Sequence, residues 1–236
     1  MRLEVDITGK TYRSAAGGTH EVLSPVKFAL SSGEVGVLIG PSGCGKSTML
    51  RIILGLDPEF AGQVARPPDA RIGMVFQEPR LLPWRSVEQN IRLAAPDASD
   101  GKLAELFKIL ELDAHRNHFP GELSLGLARR VALARAFAVE PDLLVLDEPL
   151  ASLDDALAGR LRDEIATLVA SRPVMTLLVT HSLDDAIRLG DRLFFLSARP
   201  ARIVQEVPIA VPRSKRDEAA LAGIKSEIAA LQLESK

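Results

Sequence analysis

The sequence predicts an α/β fold with a largely parallel sheet that is covered by helices on both faces. Short apolar runs at residues 35–39, 143–146 and 174–180 are typical of strands buried on both sides. Segments with helical periodicity separate these runs, as crossovers between parallel strands require. Residues 78–135 interrupt this alternation with helices alone, so we predict that they form an inserted helical subdomain.

The N-terminal third of the chain is rich in predicted strands. Residues 2–8 alternate between apolar and polar side chains, as a half-buried strand does, and residues 14–19 form a loop rich in glycine and serine. A helix begins at Lys46 and continues to Leu54, where Gly55 supplies a C-terminal stop. The further strands predicted in this third lie at residues 26–30, 35–39 and 71–76.

The rest of the chain alternates helices with strands, as apolar periodicity and turn residues indicate. Helices are predicted at residues 86–95, 101–111, 126–139, 157–170 and 182–189. Strands are predicted at residues 143–146, 174–180 and 192–197. The charged segment from residue 212 ends in a weakly amphipathic helix.

Composition narrows the functional classes. The 236 residues are 47% apolar and 25% charged, with a formal net charge of −2. Nucleic-acid binders normally need a basic excess, so we expect no nucleic-acid partner.

Cys44 is the one cysteine, which suits a reducing compartment. No apolar run approaches the roughly 20 residues that span a bilayer, and the N-terminus lacks a signal-peptide core. We therefore expect membrane contact only at the surface or through a partner.

Residues 40–47 match the phosphate-loop pattern G-x-x-x-x-G-K-[ST] without a mismatch. The loop joins a predicted strand to a predicted helix, where backbone N–H groups and a helix N-terminus surround a phosphate. We predict that Lys46 reaches the β- and γ-phosphates and that Ser47 is a ligand of Mg²⁺. We also expect the Cys44 thiol to be open to alkylation in the empty protein and shielded by ATP. The predicted nucleotide-binding residues here are Gly40, Pro41, Ser42, Gly43, Cys44, Gly45, Lys46, Ser47 and Thr48.

Two carboxylates follow the apolar run at residues 143–146. Asp147 and Glu148 lie at the C-terminal end of this predicted strand, where ligands bind in open α/β sheets. We predict that Asp147 holds Mg²⁺, through water, and that Glu148 activates the attacking water as general base. Taken alone, such a pair could equally cap a strand-to-helix turn. The phosphate loop upstream favours the catalytic interpretation.

Several further motifs resemble the ABC (ATP-binding cassette) ATPase family, and together they cover nearly the whole chain. Residues 121–130 resemble the signature loop with its helix, and residues 149–154 resemble the D-loop. Gln77, His181 and Tyr12 are similar to the family's Q-loop glutamine, switch histidine and adenine-stacking aromatic residue. The resemblance implies an enzyme that binds ATP and Mg²⁺ and hydrolyses ATP.

The resemblance also implies how the chain is organised. It indicates a single ABC ATPase domain with a P-loop NTPase core of the RecA-like type, an antiparallel β subdomain and the inserted helical subdomain. The predicted bounds are residues 1–77 and 136–211 for the β subdomain with the P-loop core, 78–135 for the helical subdomain and 212–236 for a C-terminal tail.

A head-to-tail dimer follows from the same resemblance, formed by two copies or with a second ABC ATPase. Ser124 and the N–H of Gly126 would face the γ-phosphate of ATP on the other subunit, and Asp154 would contact that subunit. Gln77 would contact Mg²⁺ and the attacking water. His181 would hydrogen-bond the γ-phosphate and orient Glu148.

The signature departs from the family's usual L-S-G-G-Q. Leu125 and Leu127 stand where the family has glycine and glutamine, whereas Ser124 and Gly126 are retained. Leucine restricts the backbone and adds bulk. Two interpretations follow: slower or differently regulated hydrolysis, or a repacked loop with near-normal turnover.

Two classes of function fit such an ATPase. The first is the ATPase of a membrane transporter, peripheral at the cytoplasmic face of the inner membrane, whose permease is a separate chain. Within this class an exporter is the alternative to an importer. The second is a soluble ABC protein that acts on DNA, ribosomes or Fe–S assembly. The single compact cassette favours a transporter.

Residues 79–91 lie where the family docks its permease, and they contain Trp84, unless that side chain packs in the core of the helical subdomain. Residues 81–84 and 196–203 resemble bacterial importers of nitrate, sulfonate, taurine and bicarbonate. That resemblance implies solute uptake with a periplasmic solute-binding protein as a further partner.

Overall fold

The computed structural model describes residues 1–14 and 17–234, so residues 15 and 16 of the predicted loop at 14–19 lie outside the described residues. The strands are β1 (Arg2–Arg13), β2 (Thr19–Leu23), β3 (Val26–Ser31), β4 (Val35–Ile39), β5 (Ala61–Ala65), β6 (Ile72–Val75), β7 (Leu143–Asp147), β8 (Met175–Thr180), β9 (Arg192–Leu196) and β10 (Ile203–Pro208). The helices are α1 (Lys46–Ile53), α2 (Val87–Ala94), α3 (Asp100–Ile109), α4 (Leu125–Ala138), α5 (Asp155–Ala170), α6 (Leu183–Leu189) and α7 (Glu218–Glu234).

The chain divides into two compact units. The first contains Met1–Pro67 and Leu177–Lys236, and the second contains Pro68–Thr176. This division differs from the subdomain bounds expected from the sequence, which stay a prediction. No helix among the described residues is long and apolar enough to cross a membrane.

An antiparallel sheet occupies the N-terminal part of the first unit. Strand β1 pairs antiparallel with β2, β3 and β5. Alternate residues of β1, such as Leu3, Val5 and Ile7, are buried, as its period of two predicts. The antiparallel β subdomain implied by the resemblance is therefore present. Strands β2 and β5 were not predicted, because most of their side chains are exposed and their apolar pattern is weak.

A second sheet of the first unit contains β10, β9 and β4, with β8 beside β4. Strands β4 and β9 are parallel, whereas β9 and β10 are antiparallel. All five residues of β4 are buried, as expected for a strand covered on both faces. Strand β4 leads directly into the loop before α1, so the sheet fixes where that loop begins.

The second unit is built around helix α4. The apolar side chains of α4 lie in a core with Ile91 of α2, Phe107 of α3 and Val75 of β6, all fully or nearly fully buried. Gly73 of β6 permits this packing, because a Cβ there would clash with the carbonyl of Ala136. Strands β6 and β7 pair in parallel. The predicted helices and strands of this unit are confirmed to within a few residues at their ends.

Candidate functional site

The loop between β4 and α1 has a backbone that glycine makes possible. Gly43 and Gly45 have φ angles of 74° and 133°, in the region that side chains rarely adopt. A Cβ at Gly45 would lie 2.9 Å from Leu23 Cδ2 and 3.1 Å from the carbonyl oxygen of Val22. Residues 41–43 of this loop and Ser47 in the first turn of α1 are exposed, whereas residues 44–46 are buried. The loop therefore presents backbone and a hydroxyl to solvent while its base is held in the fold.

Lys46 is folded back into its own loop. Its side-chain amine donates hydrogen bonds to the carbonyl oxygens of Gly40 (2.7 Å) and Pro41 (3.0 Å), and the residue is only 5% exposed. The ammonium thus lies where the loop begins. Cys44 is 2% exposed. The expectation that its thiol is open to alkylation in the empty protein is wrong, because the fold itself covers it.

The helix N-termini differ in a way that singles out α1 and α4. The first turns of α2, α3, α5, α6 and α7 each carry an acidic residue, whereas those of α1 and α4 carry none. Gly45, the N-cap residue of α1, has no side chain that could cap the helix. Because an acidic residue in the first turn competes for the positive helix end, the N-termini of α1 and α4 are the ones among the described helices that are suited to bind an anion. Helix α1 follows the phosphate loop, and α4 begins directly after Ser124 of the signature.

Tyr12 lies near the end of β1 and is 38% exposed. Its hydroxyl donates to Asp57 Oδ2 at 2.6 Å, and the Lys10 ammonium lies 4.5 Å from the ring centroid. Partial burial, together with the hydrogen bond to Asp57, raises the pKa of Tyr12. No sequence pattern indicated the Lys10–Asp57 pair that supports the Tyr12 side chain.

His181 follows β8, the strand beside β4, and it is exposed. Ser182 caps α6 directly after it by accepting a hydrogen bond from the N–H of Asp185 at 3.2 Å. In the first unit, therefore, the candidates are the phosphate loop, Tyr12 and His181.

Gln77, Asp147 and Glu148 belong to the second unit, where the parallel register brings them to one edge of a strand pair. Val75 of β6 pairs with Leu146 of β7, so Gln77 and the two acids follow at the C-terminal ends of neighbouring strands. Gln77 is exposed, and the two acids are half-buried. Glu148 has a φ of 46°, which is uncommon outside glycine and often marks a functional position.

The signature residues form the exposed start of α4. Ser124 is the N-cap, and its Oγ accepts a hydrogen bond from the N–H of Leu127 at 3.3 Å. Because a hydroxyl both accepts and donates, its proton stays available for another partner. Gly126 is buried, and a Cβ there would lie 2.8 Å from Leu157 Cδ2. Leu125 is 46% exposed.

Asp154, the last residue of the predicted D-loop, is the N-cap residue of α5. Its Oδ1 accepts a hydrogen bond from the N–H of Leu157 at 2.9 Å and so caps α5. Arg129 of α4 contacts the same loop and was missed at the sequence level, because a lone arginine on a helix gives no signal of its partners.

Comparison with known proteins shows what the chain as a whole is similar to. The family profile described as ABC transporter matches residues 23–151. The aliphatic sulfonates import ATP-binding protein SsuB 2 of Pseudomonas syringae pv. tomato is 41% identical over 91% of this chain and 93% of its own length. A corresponding SsuB protein of Bacillus cereus is 39% identical over 88% of this chain and 87% of its own. The dimeric structure of the bacterial ABC transporter cassette MJ0796 has a TM-score of 0.76 at 27% identity and covers 90% of this chain and 100% of its own.

Proposed function

Because this chain belongs to the ABC transporter family, in which it is an ATP-binding and ATP-hydrolysing subunit of an importer, we propose that it powers uptake of a sulfonate-type organic anion by closing as a dimer on ATP. The observation that carries the mechanism is the pair of acid-free helix N-termini, α1 after the phosphate loop and α4 after Ser124. Each is suited to phosphate, and they belong to different units of the chain. The sulfonate assignment rests on the names of the relatives.

Binding begins at the phosphate loop. The loop backbone and Lys46 neutralise the negative charge of the phosphates, and Tyr12 stacks on the adenine. When a second copy joins head to tail, its Ser124 hydroxyl and Gly126 N–H bind the γ-phosphate from the opposite side, and its Asp154 contacts the first copy. A pairing with a second ABC ATPase would use the same surfaces.

Hydrolysis is an in-line attack of water on the γ-phosphorus. Glu148 accepts a proton from that water as the new P–O bond forms, and the bond to the β–γ bridging oxygen breaks to leave ADP and inorganic phosphate. Gln77 and His181 position the water, the γ-phosphate and Glu148. Lys46 stabilises the charge that develops on the leaving oxygens.

The oxygen donors of Ser47, Gln77 and Asp147 fit a magnesium ion, which prefers hard oxygen ligands and keeps several waters. No cluster of three or more His, Cys, Asp or Glu able to hold a metal occurs within residues 1–14 and 17–234. When bound, Mg²⁺ neutralises phosphate charge during the transfer.

The permease contact is proposed at the loop that presents Trp84. This side chain is 71% exposed, which excludes the alternative of a core tryptophan. Asn90, fully buried, fixes the loop by accepting from the N–H of Leu82 (2.8 Å) and donating to the carbonyls of Arg85 (2.9 Å) and Ser86 (3.0 Å). A rigidly held exposed tryptophan suits the centre of a protein interface. Docking there places the chain at the cytoplasmic face of the membrane, with a periplasmic binding protein on the other side.

The proposed mechanism is tested by Mg²⁺-dependent ATP hydrolysis of the purified chain and its Glu148→Gln variant. We expect Glu148→Gln to bind ATP, to accumulate as a dimer in size-exclusion chromatography, and to lose nearly all turnover. Glu105→Gln, an exposed carboxylate on α3, is the matched control and should behave as wild type. Wild-type turnover in Glu148→Gln would overturn the mechanism.

The transport assignment is tested by co-purification and by uptake. We expect the chain to co-purify with a permease and Trp84→Ala to lose uptake of a labelled alkanesulfonate while keeping basal ATPase activity. Leu56→Ala, which removes an exposed leucine of the first unit, is the control. Stable association with ribosomes or DNA, without a permease, would instead favour the soluble class of ABC protein.

A further inference from the structure

Arg129 connects the signature helix to the loop that follows the two acids. One terminal nitrogen (Nη1) donates to the carbonyl oxygens of Pro149 (2.9 Å) and Glu148 (3.4 Å), and the other (Nη2) donates to that of Ala151 (2.7 Å). The residue is only 5% exposed. A single planar side chain thus holds the main chain between β7 and α5 at three carbonyl groups.

The held segment is unusual in its backbone. Glu148 and Ser152, at its two ends, have φ angles of 46° and 63°. Non-glycine residues in this region cost about 1–3 kcal/mol each and persist only where the surroundings fix them. The three hydrogen bonds from Arg129 lie within this strained stretch, so they are placed to fix it.

Burial of the Arg129 guanidinium carries a desolvation cost. Burial lowers the pKa of Arg129, because the charged guanidinium is removed from water. In the described part of the chain its partners are main-chain carbonyls, which compensate a buried charge less fully than a carboxylate does.

The neighbouring arginine shows the contrasting arrangement. Arg130, also buried on α4, donates to Glu111 Oε2 at 2.8 Å and to Glu164 Oε1 at 2.5 Å. It joins α4 to α5 and to the end of α3 through ion pairs. Two adjacent buried arginines therefore have different partners: carboxylates for Arg130 and the loop after the acids for Arg129.

We propose that Arg129 is a positioning residue that ties Glu148 to the signature helix, so that contact of Ser124 with one ATP sets the main chain of the base that acts on the other. In a head-to-tail dimer, Ser124 faces the nucleotide of the partner, whereas Glu148 serves the nucleotide of its own subunit. Arg129 links these two positions within one chain. The inference rests on the proposed function of Glu148 as general base.

The test compares four variants of the full chain: Arg129→Gln, Arg129→Lys, Arg130→Gln and Glu148→Gln. We expect Arg129→Gln to lower kcat about 10- to 100-fold, as small misplacements of catalytic groups do. Its KM for ATP should stay near wild type, because the lost contacts act on the attacking base rather than on nucleotide binding. Arg129→Lys should restore part of kcat, since a lysine can reach one of the three carbonyls.

Arg130→Gln is the matched control, because it removes a buried arginine from the next position of the same helix. It should lower the melting temperature at least as much as Arg129→Gln and leave kcat near wild type. A wild-type kcat in Arg129→Gln, or an equal loss of kcat in Arg130→Gln, would overturn the inference. Should Arg129→Gln fail to fold, a wild-type kcat in Arg129→Lys has the same meaning.

Glu148→Gln distinguishes failure of the positioning role of Arg129 from failure of the proposed hydrolysis mechanism. If it loses turnover while Arg129→Gln does not, only the positioning role fails. If it retains wild-type turnover, the proposed mechanism itself fails, whatever the arginine variants do.

Discussion

The phosphate loop and the signature both lead into a helix whose first turn carries no acidic residue. They differ in burial: the base of the phosphate loop is buried, whereas the start of the signature helix is exposed. Residues 44–46 of the phosphate loop are buried and Lys46 is bonded to its own loop, and α1 has no side-chain cap. At the signature, Ser124 and Leu125 are exposed and Ser124 caps α4. In the proposed dimer, the phosphate loop binds the phosphates of ATP in its own copy, and the exposed signature contacts the ATP of the other copy.

Among the substitutions that test this comparison, replacement of Lys46 in the phosphate loop should lower ATP hydrolysis the most. In Lys46→Ala we expect kcat to fall roughly 100- to 1,000-fold, the range seen when one group that stabilises transition-state charge is removed. Steady-state ATP hydrolysis measures the loss. Lys27→Ala, which removes an exposed lysine paired with Asp6, is the control. Comparable activity in the two variants would contradict the assignment.

Ser124→Ala tests the second half of the contrast. Loss of a hydroxyl that bonds a charged phosphate should lower kcat about 10- to 100-fold, since such hydrogen bonds contribute about 1.5–3 kcal/mol. ATP-dependent dimer formation, followed by size-exclusion chromatography, should weaken in parallel.

Ser99→Ala separates this effect from the loss of a helix cap. Ser99 caps α3 as Ser124 caps α4, by accepting a hydrogen bond from the N–H three residues on. Each substitution should cost about 1 kcal/mol of stability. An equal fall in kcat for both would show that only capping matters.

Variants of Tyr12 test whether its ring stacks on the adenine of ATP bound at the phosphate loop. Tyr12→Ala should raise the KM for ATP about tenfold, because base–aromatic stacking contributes about 1–3 kcal/mol. Tyr12→Phe keeps the ring and loses only the hydroxyl bonded to Asp57, so its KM should match wild type. A KM that rises equally in both variants would assign the effect to the Asp57 contact instead.

The smallest expected effect is at Leu125. Leu125→Gly restores backbone freedom at the exposed start of α4, and we expect basal ATPase activity of the dimer to rise about twofold, a barrier change of roughly 0.4 kcal/mol. Leu93→Gly, an exposed leucine of α2, controls for lost helix stability. Unchanged or lower turnover in Leu125→Gly would favour the repacked loop with near-normal hydrolysis.

Sequence patterns predicted the elements with strong periodicity and missed those without it. The buried strands β4, β7 and β8 were found because short, mostly apolar runs of this length are distinctive. Strand β10 was missed because most of its side chains are not buried, so its residues carry little apolar signal. The exposed state of Trp84 was also left open, since the neighbouring residues allow either placement.

Local sequence alone determined the phosphate loop, the acid pair and most of the strands and helices, because glycine spacing and apolar periodicity act over a few residues. The tertiary structure decided the burial of Cys44 and the contact of Arg129 with the loop after Glu148. These depend on residues brought together from distant parts of the chain. Helix packing, which no local pattern encodes, places α4 against the strand pair and so puts Arg129 within hydrogen-bonding distance of that loop.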